Sequence, residues 1–143
     1  MPGVKEQREA QMKIVGISGS PRKGGNTEAL LKKALEPFYE KNWIVKVHLL
    51  SDYRISPCQA CDACCETNTC RIDDDMVRIY EDLPDCDALI VGTPVYYRNV
   101  SAQLKAVFDR TYSLRAARPL VERYGGAIAV GRGTGGEQSI ALT

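Results

Sequence analysis

Five of the six cysteines lie between Pro57 and Cys70. Four of them, Cys58, Cys61, Cys64 and Cys70, follow the spacing C-x2-C-x2-C-x5-C. Thiolates three residues apart on a tight loop can converge on one point, as soft metals and iron–sulfur clusters require. A disulfide framework would instead spread its cysteines so that the bridges close long loops. Four chemistries stand open here: an iron–sulfur centre, which the compact spacing favours, unmetallated thiols, a zinc site, and a redox disulfide. Zinc fits less well, because its knuckles are usually separated C-x2-C pairs. Asp62 and Glu66 add negative charge, which lowers the potential of any cluster held beside them. Cys65 directly follows Cys64, so the third ligand is one or the other; Cys65 is the one out of step with the triplet. Cys86 stands apart and reads as a core thiol.

A second set of chemical groups lies in Gly19–Thr27 (Gly-Ser-Pro-Arg-Lys-Gly-Gly-Asn-Thr), between an apolar run and a helical pattern. A strand, a loop rich in N–H and O–H donors, and then a helix N-terminus make an anion site. The Walker loop does not match, since Lys23 precedes Gly24 rather than following it, and G-x-G-x-x-G is absent. What remains is a loop that can hold a terminal phosphate with Ser18, Ser20, Arg22, Asn26 and Thr27. The other reading is a polar turn with no ligand. Thr93–Val100 (Thr-Pro-Val-Tyr-Tyr-Arg-Asn-Val) is a third feature, aromatic and apolar where a connection is expected to be exposed. That suits a wall for a flat ligand, or packing of Tyr96 and Tyr97 on a neighbouring chain.

The elements that must position these groups are read from periodicity. Lys13–Ser18 is a short β-branched run and reads as a buried parallel strand. Asn26 or Thr27 caps a helix through Leu35, with Glu28 in its first turn. Trp43–Leu50 is a second strand, suited to an outer position; its His48, the only histidine, reads as a surface residue rather than a ligand or base. Asp73–Asp75 open a helix carrying Met76, Val77, Ile79, Tyr80 and Leu83, the acids serving the helix dipole rather than a metal. Cys86–Gly92 is a third strand. Ser101 caps a helix whose inward stripe is Leu104, Val107, Phe108, Tyr112 and Leu114. Arg115–Tyr124 is a loop, Gly126–Gly131 a fourth strand, and Arg132–Gly136 a glycine-rich loop. Met1–Gln11 is a polar lead-in with a frayed helical turn.

Helices alternating with short apolar strands give an α/β fold with a parallel sheet covered on both faces. The expectation is one domain over residues 1–143, with a cysteine-rich insert at about 57–70. It is a flavodoxin-like, doubly wound sheet that stops before a fifth strand. In such sheets ligands bind beyond the C-terminal strand ends, where the strand order reverses. The phosphate loop, the aromatic loop and the glycine-rich edge at Gly131 and Gly133 all fall at such ends, as does the cysteine loop. One cradle, one wall and one edge on the same rim describe a flavin mononucleotide site.

Bulk properties narrow the partners. The 143 residues are 44% apolar and 26% charged, with 19 basic and 18 acidic side chains and a net charge of +1. No field favours nucleic acid or an anionic membrane. No apolar run reaches the ~18–20 residues of a membrane span, and Met1–Ala10 lack the apolar region of a signal peptide. A reducing cytoplasm is the expected location, where clustered cysteines bind metal or do chemistry more often than they bridge.

Gly19–Thr27, the stretch Pro57–Cys70 followed by Asp73-Asp74-Asp75-Met76, and Gly92–Tyr97 with Asn99-Val100-Ser101 together resemble the NADPH-dependent FMN reductase family. The likeness runs over roughly Met12–Gly136. Within that family the compact cysteines resemble those of the iron–sulfur flavoproteins of anaerobic archaea and bacteria. The resemblance implies FMN, its phosphate at Ser18, Ser20, Arg22, Asn26 and Thr27. It implies an isoalloxazine ring lined by Pro94, Val95, Tyr96, Tyr97 and Asn99, with Ser101, Gly131 and Gly133 on the same rim. It further implies a [4Fe–4S] cluster on Cys58, Cys61, Cys64 and Cys70, carried close to the flavin by the loop after the second strand. Family members continue into a further helix and a fifth strand.

The function that follows is an oxidoreductase passing electrons between a flavin and a one-electron cluster. Its donor would be NAD(P)H or a ferredoxin-type protein. No side chain is assigned a catalytic role, since no Ser/His/Asp set or paired carboxylates stand out. The exposed aromatics and the last strand's open edge suggest a homodimer or homotetramer. Two alternatives remain: an NAD(P)H-dependent FMN or quinone reductase without a cluster, and a flavodoxin-like thiol redox-sensing or binding module.

Overall fold

The computed structural model describes residues 11–141 and 143. The polar lead-in expected at Met1–Gln11 therefore lies outside the described residues except for Gln11. The elements run β1 (Lys13–Ser18), α1 (Asn26–Glu40), β2 (Ile44–Leu49), α2 (Ala63–Thr67), α3 (Met76–Asp82), β3 (Ala88–Pro94), α4 (Ala102–Arg110), β4 (Tyr124–Val130) and α5 (Gly136–Ala141). Short 3-10 turns follow β2 at Leu50–Asp52 and α4 at Thr111–Leu114. Among the described residues the sheet has four strands in the order β2-β1-β3-β4, and every pairing is parallel. The chain leaves β1 towards one edge and returns through β3 towards the other, so the order reverses between β1 and β3. Ligands gather beyond that point in open α/β sheets.

Alternation along β1 builds the two apolar layers. Ile14 faces α1, packing with Leu31, Leu35 and Ala88. Val15 and Ile17 face the other way, onto Met76, Ile79, Leu83, Leu104 and Val107 of α3 and α4. Gly16 lies on the α1 face, where an added Cβ would sit 2.7 Å from Leu35. The helix therefore approaches the sheet closely at that point. Lys13 extends the ladder: its N–H donates to the Asp87 carboxylate (2.8 Å), and Asp87 N–H donates back to Lys13 O (2.8 Å).

Several boundaries differ from the sequence expectation. Helix α1 is capped at Gly25, not at Asn26 or Thr27, and runs past Leu35 through Pro37 to Glu40. Pro37 sits in the last turns, where it removes an N–H without ending the helix. The stripe expected on α4 stops short: the helix ends at Arg110, and the 3-10 turn leaves Tyr112 54% exposed. Strand β3 begins at Ala88 rather than Cys86, although Cys86 is buried in the core as expected. Strand β4 begins at Tyr124 rather than Gly126, and the short helix α5 had no counterpart in the sequence reading.

His48 is a correction. It is buried rather than on the surface, because Tyr53 and Asp82 close over the end of β2. Its Nδ1 lies 2.8 Å from the Tyr53 hydroxyl. Its Nε2 stands 3.1 Å from Asp82 Oδ2 without the geometry of a hydrogen bond, and Lys13 Nζ holds the other oxygen of Asp82 at 2.8 Å. Burial pushes the His48 pKa down, against the pull of Asp82. The unfolded chain therefore binds the imidazole proton first as pH falls. Stability is full above the unfolded-state value of about 6.5 and declines below it. Melting temperatures measured from pH 7.5 down to 5 should fall over this range. The His48→Gln variant should lose most of that slope.

Candidate functional site

A cleft of about 590 Å³ opens between the C-terminal ends of β1, β3 and β4. That volume is ordinary for a site taking a cofactor-sized ligand. Three connections wall it, each starting where a strand runs out. The β1–α1 loop contributes Ser20, Arg22, Gly25, Asn26 and Thr27; the end of β3 contributes Pro94, Val95 and Tyr96; the end of β4 contributes Val130, Gly131 and Arg132. Among the described residues Arg22 and Arg132 are the charged side chains on this lining, and no carboxylate joins them. The cleft is thus positive on a protein whose net charge is only +1, which favours an anionic group.

The first loop is shaped by its own hydroxyls and by α1. Ser20 Oγ accepts from Arg22 N–H (3.1 Å) and donates to Arg22 O (3.3 Å). Gly24, at φ +65°, turns the chain into the helix, and its N–H donates to the buried Glu28 carboxylate (2.8 Å). Lys32 and this N–H together overcome the effect of burial and hold Glu28 below the usual carboxylate range. Lys23 points away from the cleft and pairs with Asp52. Thr27 is buried in the first turn, its methyl against Gly92.

Ser101 ties this loop to the second one. Its Oγ accepts from Leu104 N–H (3.2 Å) as the α4 cap and donates to Gly19 O (2.6 Å). Gly19 N–H in turn donates to Gly92 O (2.7 Å). A Cβ at Gly19 would meet Leu104 at 2.8 Å, so only glycine allows the loop to lie on α4. Thr93 Oγ1 accepts from Ser101 N–H (3.1 Å) and completes the knot. Ser101→Ala removes the cap and leaves a buried carbonyl unpaired, at a cost of about 2 kcal/mol. Chemical denaturation should read that loss directly.

The aromatic loop is a tight hairpin. Tyr96 and Asn99 exchange backbone hydrogen bonds (3.0 and 3.1 Å) around Tyr97 and Arg98, which both have positive φ (49° and 63°). That is the primed turn, in which both central residues are left-handed. The turn throws Tyr97 fully into solvent, while Tyr96 stays on the cleft wall. Gly135, at φ +104°, lets the β4–α5 connection dock against the tip, since a Cβ there would fall 2.8 Å from Arg98 Cα.

The structure therefore brings together Ser20, Arg22, Asn26, Thr27, Pro94, Val95, Tyr96 and Gly131 from the sequence-derived set. Ser18 is buried at the end of β1, off the lining. Asn99 caps its own turn, its Oδ1 accepting from Val100 N–H (2.8 Å). Ser101 is committed to the α4 cap, and Gly133 and Tyr97 also fall outside the cleft lining. Gly25, Val130 and Arg132 were missed. Arg132 carried a signal, as a cation opening a glycine-rich loop at a strand end.

The cysteine stretch is where the expectation of a position close to the flavin rim is corrected. No residue of Pro57–Cys70 lines the cleft. Past β2 the chain is laced to the start of α3: Arg54 and Asp75 exchange hydrogen bonds, and Ser56 N–H donates to Asp74 Oδ2 (2.8 Å). The stretch then lies beside Thr111–Leu114, with Arg115 Nη1 donating to Cys64 O (3.0 Å). That is the C-terminal end of α4, whereas the cleft is at its N-terminal end. Nine residues of helix, about 13 Å of axis, lie between those two ends of α4.

All six cysteines are free, with Cys58, Cys61 and Cys65 exposed, and Cys64 and Cys70 half-buried. Left-handed residues at Ala60, Asp62 and Asn68 turn the chain sharply here, and Ala60 N–H lies 3.5 Å from Cys58 Sγ. Burial and the adjacent Cys65 push the Cys64 thiol up, with Arg115 opposing. Among the described residues no three His, Cys, Asp or Glu side chains stand together as a metal site.

Comparison with known proteins agrees with this architecture. The chain is 45% identical over 128 residues to an iron–sulfur flavoprotein of Methanosarcina thermophila, covering 89% of the chain and 67% of that relative. It is 46% identical over 131 residues to an iron–sulfur flavoprotein of Archaeoglobus fulgidus, covering 90% and 67%. The chain thus spans about two thirds of the length of these curated relatives. The solved structure of the Trp repressor binding protein from Bacillus subtilis superposes with a TM-score of 0.62 at 26% identity, covering 90% of this chain and 71% of that one. The NADPH-dependent FMN reductase family matches residues 12–142. On these grounds the chain belongs to the NADPH-dependent FMN reductase family, and so to the FMN-dependent oxidoreductases.

Proposed function

We propose that this chain is an iron–sulfur flavoprotein that takes electrons from a reduced nicotinamide. The observation that carries the flavin part is the carboxylate-free cleft at the strand-order reversal, with hydroxyls and two arginines on one side and Pro94, Val95 and Tyr96 on the other. Ser20, Asn26 and Thr27, with the loop amides and the N-terminus of α1, hold the FMN phosphate. Arg22 and Arg132 neutralise its charge. Pro94, Val95 and Tyr96 would pack against the ring and exclude water from it. The bound flavin supplies hydride acceptance and electron release, one or two electrons at a time. With no carboxylate or histidine among the described lining residues, the protein's part is position and charge, and protons come from donor and solvent.

Cys58, Cys61, Cys64 and Cys70 are the ligands we assign to a [4Fe–4S] cluster, a carrier of single electrons. The donor set fits: four unbridged thiols of soft character, on a sharply turned loop, with an N–H already directed at the Cys58 sulfur. Among the described residues they are not gathered into one site, and metal binding would supply that convergence, as in other sites where folding and metal uptake are linked. The names of the two archaeal relatives support this assignment. The absence of a gathered thiol set among the described residues favours, as second reading, an FMN or quinone reductase without a cluster.

The proposal extends to a homodimer or homotetramer. Tyr97 is wholly exposed, Tyr96 is 43% exposed, and β4 pairs only with β3 among the described residues. Sedimentation that shows nothing larger than the 15.8 kDa chain at micromolar concentration would contradict it. The nicotinamide-donor reading is tested by mixing FMN-loaded protein with NADPH, and separately NADH, without oxygen. Loss of the flavin's visible absorbance with either donor supports it; an unchanged spectrum with both overturns it.

A further inference from the structure

Arg110 is a buried arginine that the flavin cleft does not use. It closes α4, and its side chain is wholly shielded from solvent. Nη1 donates to Ser56 O (2.9 Å) and Asp74 Oδ2 (2.9 Å), and Nη2 donates to Ile72 O (3.1 Å) and Asp74 Oδ1 (3.1 Å). Ser56 and Ile72 are the two stems of the cysteine stretch, one just before Pro57 and one just after Arg71. Asp74 doubles the grip, since its oxygens also accept from Ser56 N–H (2.8 Å) and Met76 N–H (3.1 Å). Tyr80 and Ser113 both donate to Arg110 O, at 2.8 and 3.1 Å, and fix the backbone behind the fork. Burial alone would lower the Arg110 pKa, but Asp74 and Tyr80 more than offset it, so the guanidinium stays charged.

A buried arginine is costly unless it is paired, and here Nε has no partner among the described residues. The residue is therefore not one that packing alone would select. Its planar fork does something no apolar residue or lysine can: it bonds two backbone carbonyls and a carboxylate in one plane. The stems it joins carry the first and last of the four spaced thiols, Cys58 and Cys70. Within 57–71 the hydrogen bonds are short-range, such as Cys65 N–H to Asp62 O and Asn68 N–H to Cys64 O. From outside the stretch, Arg115 holds Cys64 O.

We propose that Arg110 is the positioning residue of the cysteine loop: with Asp74 it fixes the spacing between the Ser56 and Ile72 stems so that Cys58 and Cys70 close on one centre with Cys61 and Cys64. This rests on the cluster reading above. Partners that orient metal ligands from outside typically change metal retention by about 10–100-fold.

The test uses Arg110→Gln and Arg110→Lys in the full chain, purified without oxygen, with iron release to a chelator, FMN content and melting temperature measured together. Lysine restores a charge opposite Asp74 but cannot reach both carbonyls. It is expected to recover melting temperature relative to glutamine, yet to release iron at least about tenfold faster than wild type. FMN content is expected to stay unchanged in both. A purely structural role would make iron retention follow melting temperature. Iron release at the wild-type rate in Arg110→Lys, or in a folded Arg110→Gln, overturns the proposal. If wild type itself holds no iron, the cluster reading fails instead. The stem role is then read from amide exchange, expected to quicken at residues 57–71 and not at 19–27, with equal exchange overturning it.

Discussion

Replacing Ser20 and Thr27 together with alanine is expected to empty the cleft of flavin while the protein stays folded. Both residues are nearly buried, at 5% and 3% exposure, in the β1–α1 loop and the first turn of α1. Ser20 also bridges Arg22 N–H and O, so its loss relaxes the loop that presents the amides. A hydrogen bond to a charged group contributes roughly 1.5–3 kcal/mol, so losing two weakens binding by about 100-fold or more. Thr27→Ser keeps the hydroxyl and gives up only the methyl that touches Gly92. It should retain flavin and lose a little stability. Flavin content unchanged in the double variant would show that the phosphate lies elsewhere.

The second large effect concerns iron. Alanine at Cys61 or Cys70 is expected to abolish iron and sulfide while FMN stays bound, because neither residue lines the cleft. Alanine at Cys65 or Cys86 should keep both cofactors. Cys86 is fully buried in the core, where burial pushes its thiol up and keeps it protonated. Cys65 is exposed but out of step with the other three. Its removal should not reduce iron content. Equal iron loss from Cys64 and Cys65 variants would mean that the third ligand is misassigned.

Much of this was legible because the signals are local. The apolar run Ile14–Ile17 that opens into Gly19–Thr27 marks strand, loop and helix within a few residues. Parallel strands joined by helices then leave few topologies. The rim at β1, β3 and β4 follows from that topology. What sequence could not reach depends on contacts between distant residues. His48 looked like one face of an edge strand, and only Tyr53 and Asp82 make it buried. Tyr97 looked like its neighbour Tyr96 until two left-handed residues turned it outward. The cysteine stretch leaves β2 on the rim, and contacts 18 and 54 residues apart in the chain (Ser56 with Asp74, and Arg110 with Ser56) hold it beside the other end of α4. Arg110 reads in sequence as an ordinary cation at a helix end. Nothing local distinguishes it from the exposed, Asp109-paired Lys105.

The most direct test of the central claim is an absorbance spectrum of the protein purified without oxygen, with iron and acid-labile sulfide assayed on the same sample. Resolved flavin bands over a broad cluster shoulder are expected, with about four iron and four sulfide per chain as one [4Fe–4S] centre requires. Flavin without iron would remove the cluster and leave the plain FMN reductase; a spectrum with no flavin bands after incubation with FMN would contradict the account at its base.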